Sequence, residues 1–298
     1  MTSEAPSLEA LTARIRTAFP QLKFTQASLI GHGDDNLVVV LDGEWIVRFP
    51  RNDEYRGRFA AELNLLAELA PRASLALPHY EYVSEERDFG AYRKIKGREM
   101  RPDVFAAISP PDRRAVLAAL ASFLSTLHAL PAETIRQPDG TVARTWTGAQ
   151  FAALYRGMRR AAIARTVSPQ TLARFDAFHD ALATLQPGVA RLAHDDLSDD
   201  HIFVDGSRLS GIIDFSDAAF GDPVIDFAWF WSLGEESVDR LLQDYVFASD
   251  DPALKSRSLW IFVRYMIHLL WYGVQGKWEP TPEQTVAALD PHLRRLGF

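Results

Sequence analysis

The chain has no cysteine, which removes disulfides, thiolate nucleophiles and cysteine-held zinc at once. Surplus positive charge is missing too: 32 Lys and Arg stand against 39 Asp and Glu, a net charge of −7. Phosphate-backbone recognition needs clustered cations, so no nucleic-acid partner is expected. Long apolar runs are also lacking. The N-terminal MTSEAPSLEALTARIR carries acids where a signal peptide would carry its positive region. The most apolar late stretch, LWIFVRYMIHLLWYGV, is interrupted by Arg264 and His268 and is short for a membrane span. A cytoplasmic protein with no membrane partner is expected, and a monomer. Hydrophobic residues make up 47% and charged residues 24%, as in a folded globular chain, and 298 residues suit two lobes better than one core.

Residues 8–18 have amphipathic helical spacing and are ended by Pro20. SLIGHGDDN then leads into NLVVVL, Asp42-Gly43 and EWIVRF; an Asp-Gly pair between two such runs predicts a hairpin, because both central residues of a type I′ turn need positive φ. Residues 57–70 switch to helical period, with Phe59, Leu63, Leu66, Ala67 and Ala70 on one face. Two further strands, YEYVSEE and FGAYRKI, are joined near Arg87-Asp88. Beyond Gly97 the pattern becomes helical: a long helix over 112–129, two more within 148–186, and another at VDRLLQDYV that includes Tyr245 and Val246. A single small β element, IFVD-GS-RLSGIIDF, interrupts them.

The densest polar stretch is LAHDDLSDDHIFVD (192–205), followed by SGIIDFSDAAFGDPVIDF (210–227). His194, Asp196 and Asp200 precede the first strand of the hairpin, and Asp214 follows the second, so a tight turn at 205–208 brings Asp196, His201 and Asp214 to one edge. One Asp in a loop is ordinarily a turn or cap residue. Three groups converging from the two ends of one hairpin suit phosphoryl transfer, which needs a carboxylate to orient a hydroxyl and ligands for a phosphate-bridging Mg²⁺. A di-metal phosphohydrolase also gathers His and Asp, but the hairpin argues against it. A catalytically dead binding module is disfavoured by the complete set of groups.

The pattern HxDLxxxH with IIDF downstream resembles the aminoglycoside phosphotransferase family, which has the protein-kinase fold and usually writes HGDLxxxN. The resemblance runs from the 31–36 loop to the aromatic helix near 271. It implies an α+β, two-lobed protein-kinase-like fold: a small β-rich N-lobe with one main helix, residues 1–95, and a larger, mainly helical C-lobe, residues 96–298. It places Asp196 on the catalytic base, His201 on the metal-ligating Asn and Asp214 on the second Mg²⁺ ligand. His in the metal position occurs in the aminoglycoside 2″-phosphotransferases and the macrolide phosphotransferases, although Mg²⁺ prefers oxygen. His194, Asp222 and Asp226 are read as structural braces of the loop, and Asp217 is left unassigned.

The same resemblance makes GHGDDN, with Gly33 and Asn36, the loop over the phosphates. Arg48 becomes the strand cation that contacts them, and Glu62 its helix partner. Tyr92, Arg93 and Ile95 become the hinge that meets the purine. Tyr92 falls where a bulky residue narrows the adenine pocket, which in the 2″ subgroup accompanies GTP use, so GTP is expected alongside ATP. For the acceptor, a hydroxyl of a small cationic molecule of aminoglycoside type is expected, since acids crowd residues 194–239. Asp200, Glu235, Glu236 and Trp271 are its candidate contacts. A macrolide, which would need a broad apolar pocket, is the alternative.

Overall fold

The computed structural model describes residues 6–30, 35–277 and 280–298. Helix α1 (Leu8–Ala18) is capped by the Ser7 hydroxyl, which accepts the Ala10 N–H. It lies against an antiparallel sheet of β1 (Ala27–Ile30), β2 (Asn36–Leu41), β3 (Trp45–Pro50), β4 (Tyr80–Val83) and β5 (Gly90–Arg93), in the order β1-β2-β3-β5-β4. The β2–β3 turn is built as its sequence demands: Asp42 and Gly43 have φ of 49° and 72°. The Asp42 carboxylate also accepts the backbone N–H groups of Thr25 and Gln26, tying the turn to the strand before it.

Strand alternation then decides what faces where. Trp45, Val47 and Phe49 join Leu11, Ile15, Val39 and Phe89 in one core. Arg48 points to the opposite face, toward helix α2 (Asp53–Leu69). The far side of α2, with Leu65, Leu66 and Leu69, packs into a second core built mainly by the helices that follow. The small sheet's helix is thereby anchored in the helical part of the molecule.

A two-residue strand, β6 (Arg98–Glu99), comes next, then α3 (Pro102–Ala107) and α4 (Pro110–His128). Gly97, at φ +117°, makes the turn into β6; a Cβ there would stand 2.6 Å from both the Val204 carbonyl oxygen and the Ser210 hydroxyl. Gly97→Ala is therefore expected to cost about 1–3 kcal/mol, read as a lowered midpoint in thermal denaturation; an unchanged midpoint would show that the turn relaxes freely.

The helices expected within 148–186 are divided further. They are α5 (Gly148–Leu154), a π-helical segment (Tyr155–Arg159), α6 (Arg160–Ile163) and α7 (Pro169–Leu182). Strand β7 (Arg191–Ala193) leads into the hairpin β8 (Ile202–Asp205) and β9 (Arg208–Ile212), which β6 extends, and β10 (Ala219–Gly221) pairs back with β7. The chain closes with α8 (Ile225–Ala228), α9 (Glu235–Asp244), α10 (Leu254–Val274) and α11 (Pro282–Arg295). Helix α9 is shorter than its spacing predicts. Tyr245 turns to ψ 118° so that its hydroxyl reaches His128, and Val246 is left 66% exposed. No helix among the described residues is long and apolar enough to cross a membrane.

Candidate active site

The β8–β9 hairpin brings its two ends together, as its turn at Gly206 (φ 60°) requires. His201 closes the loop before β8: its Nδ1 donates to the Asp196 carbonyl oxygen at 2.7 Å. That hydrogen bond turns Nε2 toward the Asp214 and Asp200 carboxylates, each 3.9 Å away. The Asp196 carboxylate lies 3.5 Å from the same ring, half exposed at the cleft. Asp195 and Asp214 adopt left-handed backbone, φ 68° and 64°, conformations that non-glycine residues hold only where the surroundings fix them.

Asp226 does that fixing for Asp195, while Asp214 is held by Arg48 and the Ser216 hydroxyl. Wholly buried at the start of α8, Asp226 accepts the His194 N–H through Oδ2 at 2.8 Å and the Asp195 N–H through Oδ1 at 2.9 Å. His128 Nε2 donates to it at 3.0 Å, while His128 Nδ1 accepts the Tyr245 hydroxyl at 2.7 Å. His194, also buried, donates from Nε2 to the Ile213 carbonyl at 3.0 Å; burial lowers its pKa to about 4 and keeps it neutral. Asp222 accepts the Gly188 and Val224 N–H groups and pairs with Arg257.

From the sheet side, Arg48 reaches across the lobe gap. Nη1 donates to Glu62 at 2.8 Å and Nη2 to Asp214 at 2.7 Å, with the Ser216 hydroxyl at 3.2 Å. Burial works against the Arg48 charge, but Asp214 and Glu62 more than offset it. Burial likewise raises Glu62, to about 7, against the pull of Arg48. Asp214 is held well below the usual carboxylate range, since Arg48 and then His201 outweigh its burial. Poor solvation at the cleft floor raises Asp196, opposed by His201 and reinforced by Asp217 and Asp214. His201 is raised in turn: burial opposes the imidazolium, but Asp196, Asp200 and Asp214 favour it.

Of the remaining candidates, Gly33 lies outside the described residues. Asn36 opens β2, buried opposite Pro50. Tyr92 is buried with its ring edge-on to Tyr80 at 5.1 Å, close behind the Arg48–Glu62 pair. Arg93 faces outward over Trp45 at 4.3 Å, and Ile95 is buried against Gly211. Trp271 carries the Arg159 guanidinium 5.1 Å above its ring. Glu235 and Glu236 do not join the cluster. Glu235 takes a bidentate pair from Arg295, 2.7 and 2.6 Å, and a third contact from Lys255, so it clamps α9 to α10 and α11. Glu236 is exposed beside Arg240 on its own helix. The acidity of that stretch is thus neutralised locally, and the expected acidic wall is not formed by these two residues.

Several site groups carried no sequence signal strong enough to single them out: Tyr80 and Ser216 around Arg48, Arg58 in an ion pair with Asp217, and Tyr265 and Arg264 beside Asp196. Arg264 could have been found as a charge interrupting an apolar helix.

With two lobes, a buried Arg–Glu pair on the sheet side and a braced acidic loop facing it, the molecule has the construction of a kinase-like phosphotransferase. The family described as "Phosphotransferase enzyme family" (APH) matches residues 26–260, and the chain belongs to it. It is a phosphotransferase with an alcohol group as acceptor. Among curated proteins it is similar to "Uncharacterized protein YcbJ" of Bacillus subtilis (strain 168), 28% identical over 210 residues, 67% of each chain. The GDP complex of wild-type aminoglycoside 2'-phosphotransferase-IIIa shares its fold with a TM-score of 0.77 at 20% identity, covering 98% of this chain and 100% of that one. Macrolide 2'-phosphotransferase MphH from Brachybacterium faecium gives 0.62 at 22% identity, over 95% and 99%.

Proposed function

We propose that the chain is a small-molecule kinase that moves the γ-phosphoryl group of GTP or ATP directly to a substrate hydroxyl. Residues 1–95 form the nucleotide lobe and residues 96–298 the catalytic and acceptor lobe. The observation that carries this reading is the Arg48 bridge. One cation joins Glu62 on α2 to Asp214 beyond β9, and His201 lies between Asp214, 3.9 Å away, and Asp196, 3.5 Å away, so a phosphate and a hydroxyl brought into the cleft meet a cation and a base. Asp196 aligns the hydroxyl and takes its proton, His201 holds the loop that carries the base, and Arg48 steadies the donor phosphates.

Mg²⁺ fits this donor set. Among the described residues no three or more His, Asp or Glu side chains form a ready-made metal cage, and Mg²⁺ takes one or two protein carboxylates plus phosphate oxygens and water. Asp214, ionised and with Oδ2 turned from Arg48 toward His201, would hold it, and His201 is the second candidate. When bound with the nucleotide, the ion supplies charge neutralisation on the phosphates.

Tyr92, buried behind the cation, supports a donor pocket narrowed at the base end. GTP is expected to be used with a kcat/KM at least within about tenfold of that for ATP, a difference of about 1.4 kcal/mol. Turnover measured side by side with both nucleotides checks this; a clear preference for ATP removes Tyr92 as a selector. For the acceptor, the kanamycin bound in the GDP complex of APH(2")-IIia, a fold neighbour, makes an aminosugar one class to test. A nucleotide-consumption screen over aminoglycosides, macrolides and small hydroxylated metabolites tests the kinase reading. Consumption of nucleotide without phosphate transfer to any acceptor would favour a phosphohydrolase.

A further inference from the structure

The cavity beside Asp196 is lined by Asp195, Asp196, Trp229, Ile261, Arg264 and Tyr265, among others, and measures about 60 Å³. Arg264 sits over the Phe151 ring, 4.0 Å from guanidinium carbon to centroid, and its buried Nε has no hydrogen-bond partner. Arg159 comes from the π-helical segment and sits over Trp271. π-Helical turns recur at functional sites, where they re-aim side chains. One helical turn beyond Arg264, His268 stacks on Trp271 and lies tilted against Tyr272, and its buried Nδ1 is also unpartnered. Among the described residues neither Arg159 nor Arg264 has a carboxylate within ion-pair distance. Asp195 and Asp196 line the cavity with Arg264 but stay beyond that distance, and the buried Asp195 Oδ1 has no hydrogen-bond partner either. The buried arginines Arg48 and Arg257, by contrast, are paired: Arg48 with Glu62 and Asp214, Arg257 with Asp222 and Asp251.

Unpaired guanidinium charge in a half-dry pocket is costly, and two such groups near each other are costlier. Burial and mutual repulsion already draw Arg264 down, to about 10, and His268 to about 3. A polyamine entering here adds like charge beside both arginines. A carboxylate or phosphate supplies the missing partner, and planar guanidinium forks on aromatic platforms are suited to receive it. We infer that the acceptor of this kinase is an anionic hydroxy compound, held by its carboxylate or phosphate on Arg159 and Arg264 with its hydroxyl presented to Asp196. This rests on the kinase reading above and replaces the cationic acceptor that the acid-rich sequence suggested.

The test uses matched probes at equal ionic strength, gluconate against glucitol and glycerol 3-phosphate against glycerol, with kanamycin as the cationic probe. Thermal stabilisation of the full chain without nucleotide is read first, then phosphoryl transfer with nucleotide. At least one anion is expected to stabilise the protein more than its neutral counterpart. Arg159→Gln, on the π-helical segment and near enough to act on the Arg264 charge, should weaken that binding by about 10- to 100-fold, the worth of one charge-assisted hydrogen bond. Arg264→Lys, which keeps the charge on Phe151, should retain part of it. The comparison of carboxylate with phosphate probes identifies the source of the anion. Stabilisation by an anion with no transfer to any acceptor would sustain the pocket assignment while removing the kinase reading. Equal response to charged and neutral members of both pairs, an anion effect untouched by Arg159→Gln, or preferential turnover of kanamycin would each overturn the inference.

Discussion

Asp196→Ala is expected to lower kcat by about 10²- to 10⁴-fold, the usual worth of a positioned acid–base group, with nucleotide affinity within a few fold of the parent. The local structure makes this a clean experiment. The loop is held by backbone and by other side chains: the Asp195 N–H on Asp226, His194 on the Ile213 carbonyl, and His201 on the Asp196 carbonyl. None of these contacts uses the Asp196 carboxylate, so the variant keeps the loop's backbone ties and the Arg48–Asp214 contact, and loses the group that meets the hydroxyl together with its 3.5 Å pairing to His201. Single-turnover rates and a nucleotide-binding titration measure the two halves of the expectation. Near-normal turnover would take the base role away from Asp196.

Asp226→Ala acts in the opposite way, on stability first. It leaves the N–H groups of His194 and Asp195 and the His128 ring without an acceptor in a fully buried site. Breaking such a set costs about 3–5 kcal/mol, which for a chain of this size lowers the thermal midpoint by roughly 10 °C. Activity falls as well, because the left-handed turn at Asp195 loses its brace. Asp226→Asn keeps the shape and one acceptor and should recover part of the stability. A midpoint shifted by only about 1 °C would mean the loop is held by its other contacts.

How much of this was legible before the fold was known depends on how far apart the partners lie. Asp196, His201 and Asp214 could be grouped because a single hairpin joins them, and the reach of a tight turn is a local matter. Arg48 and Glu62 came only from the family resemblance, which supplied the strand and helix they should occupy; nothing local to either residue marks it. The α-helical period located α4, and Asp-Gly marked the β2–β3 turn. What the sequence hid were pairings across long separations: Arg58 with Asp217, 159 residues on, and His128 with Tyr245, 117 residues on. The same limit applies to Glu235 and Glu236, whose partners the sequence does not show. Local sequence shows the sign of a charge but not its partner, and Arg295 lies 60 residues beyond Glu235. The cavity beside Asp196 was hidden in a similar way, because Asp196 and Arg264 come from a loop and a distant helix and α10 reads as an ordinary core segment.

The Arg48 bridge has a mechanical corollary. Its two carboxylate anchors belong to opposite halves of the molecule, one rigidly buried and one at the rim of the gap. Swinging the halves apart would pull the guanidinium off Asp214 and strip it of one of its two anions in a dry recess. Gaping is thereby penalised even with nothing inside, and an incoming triphosphate, itself an anion, can relieve that penalty by replacing the lost anchor.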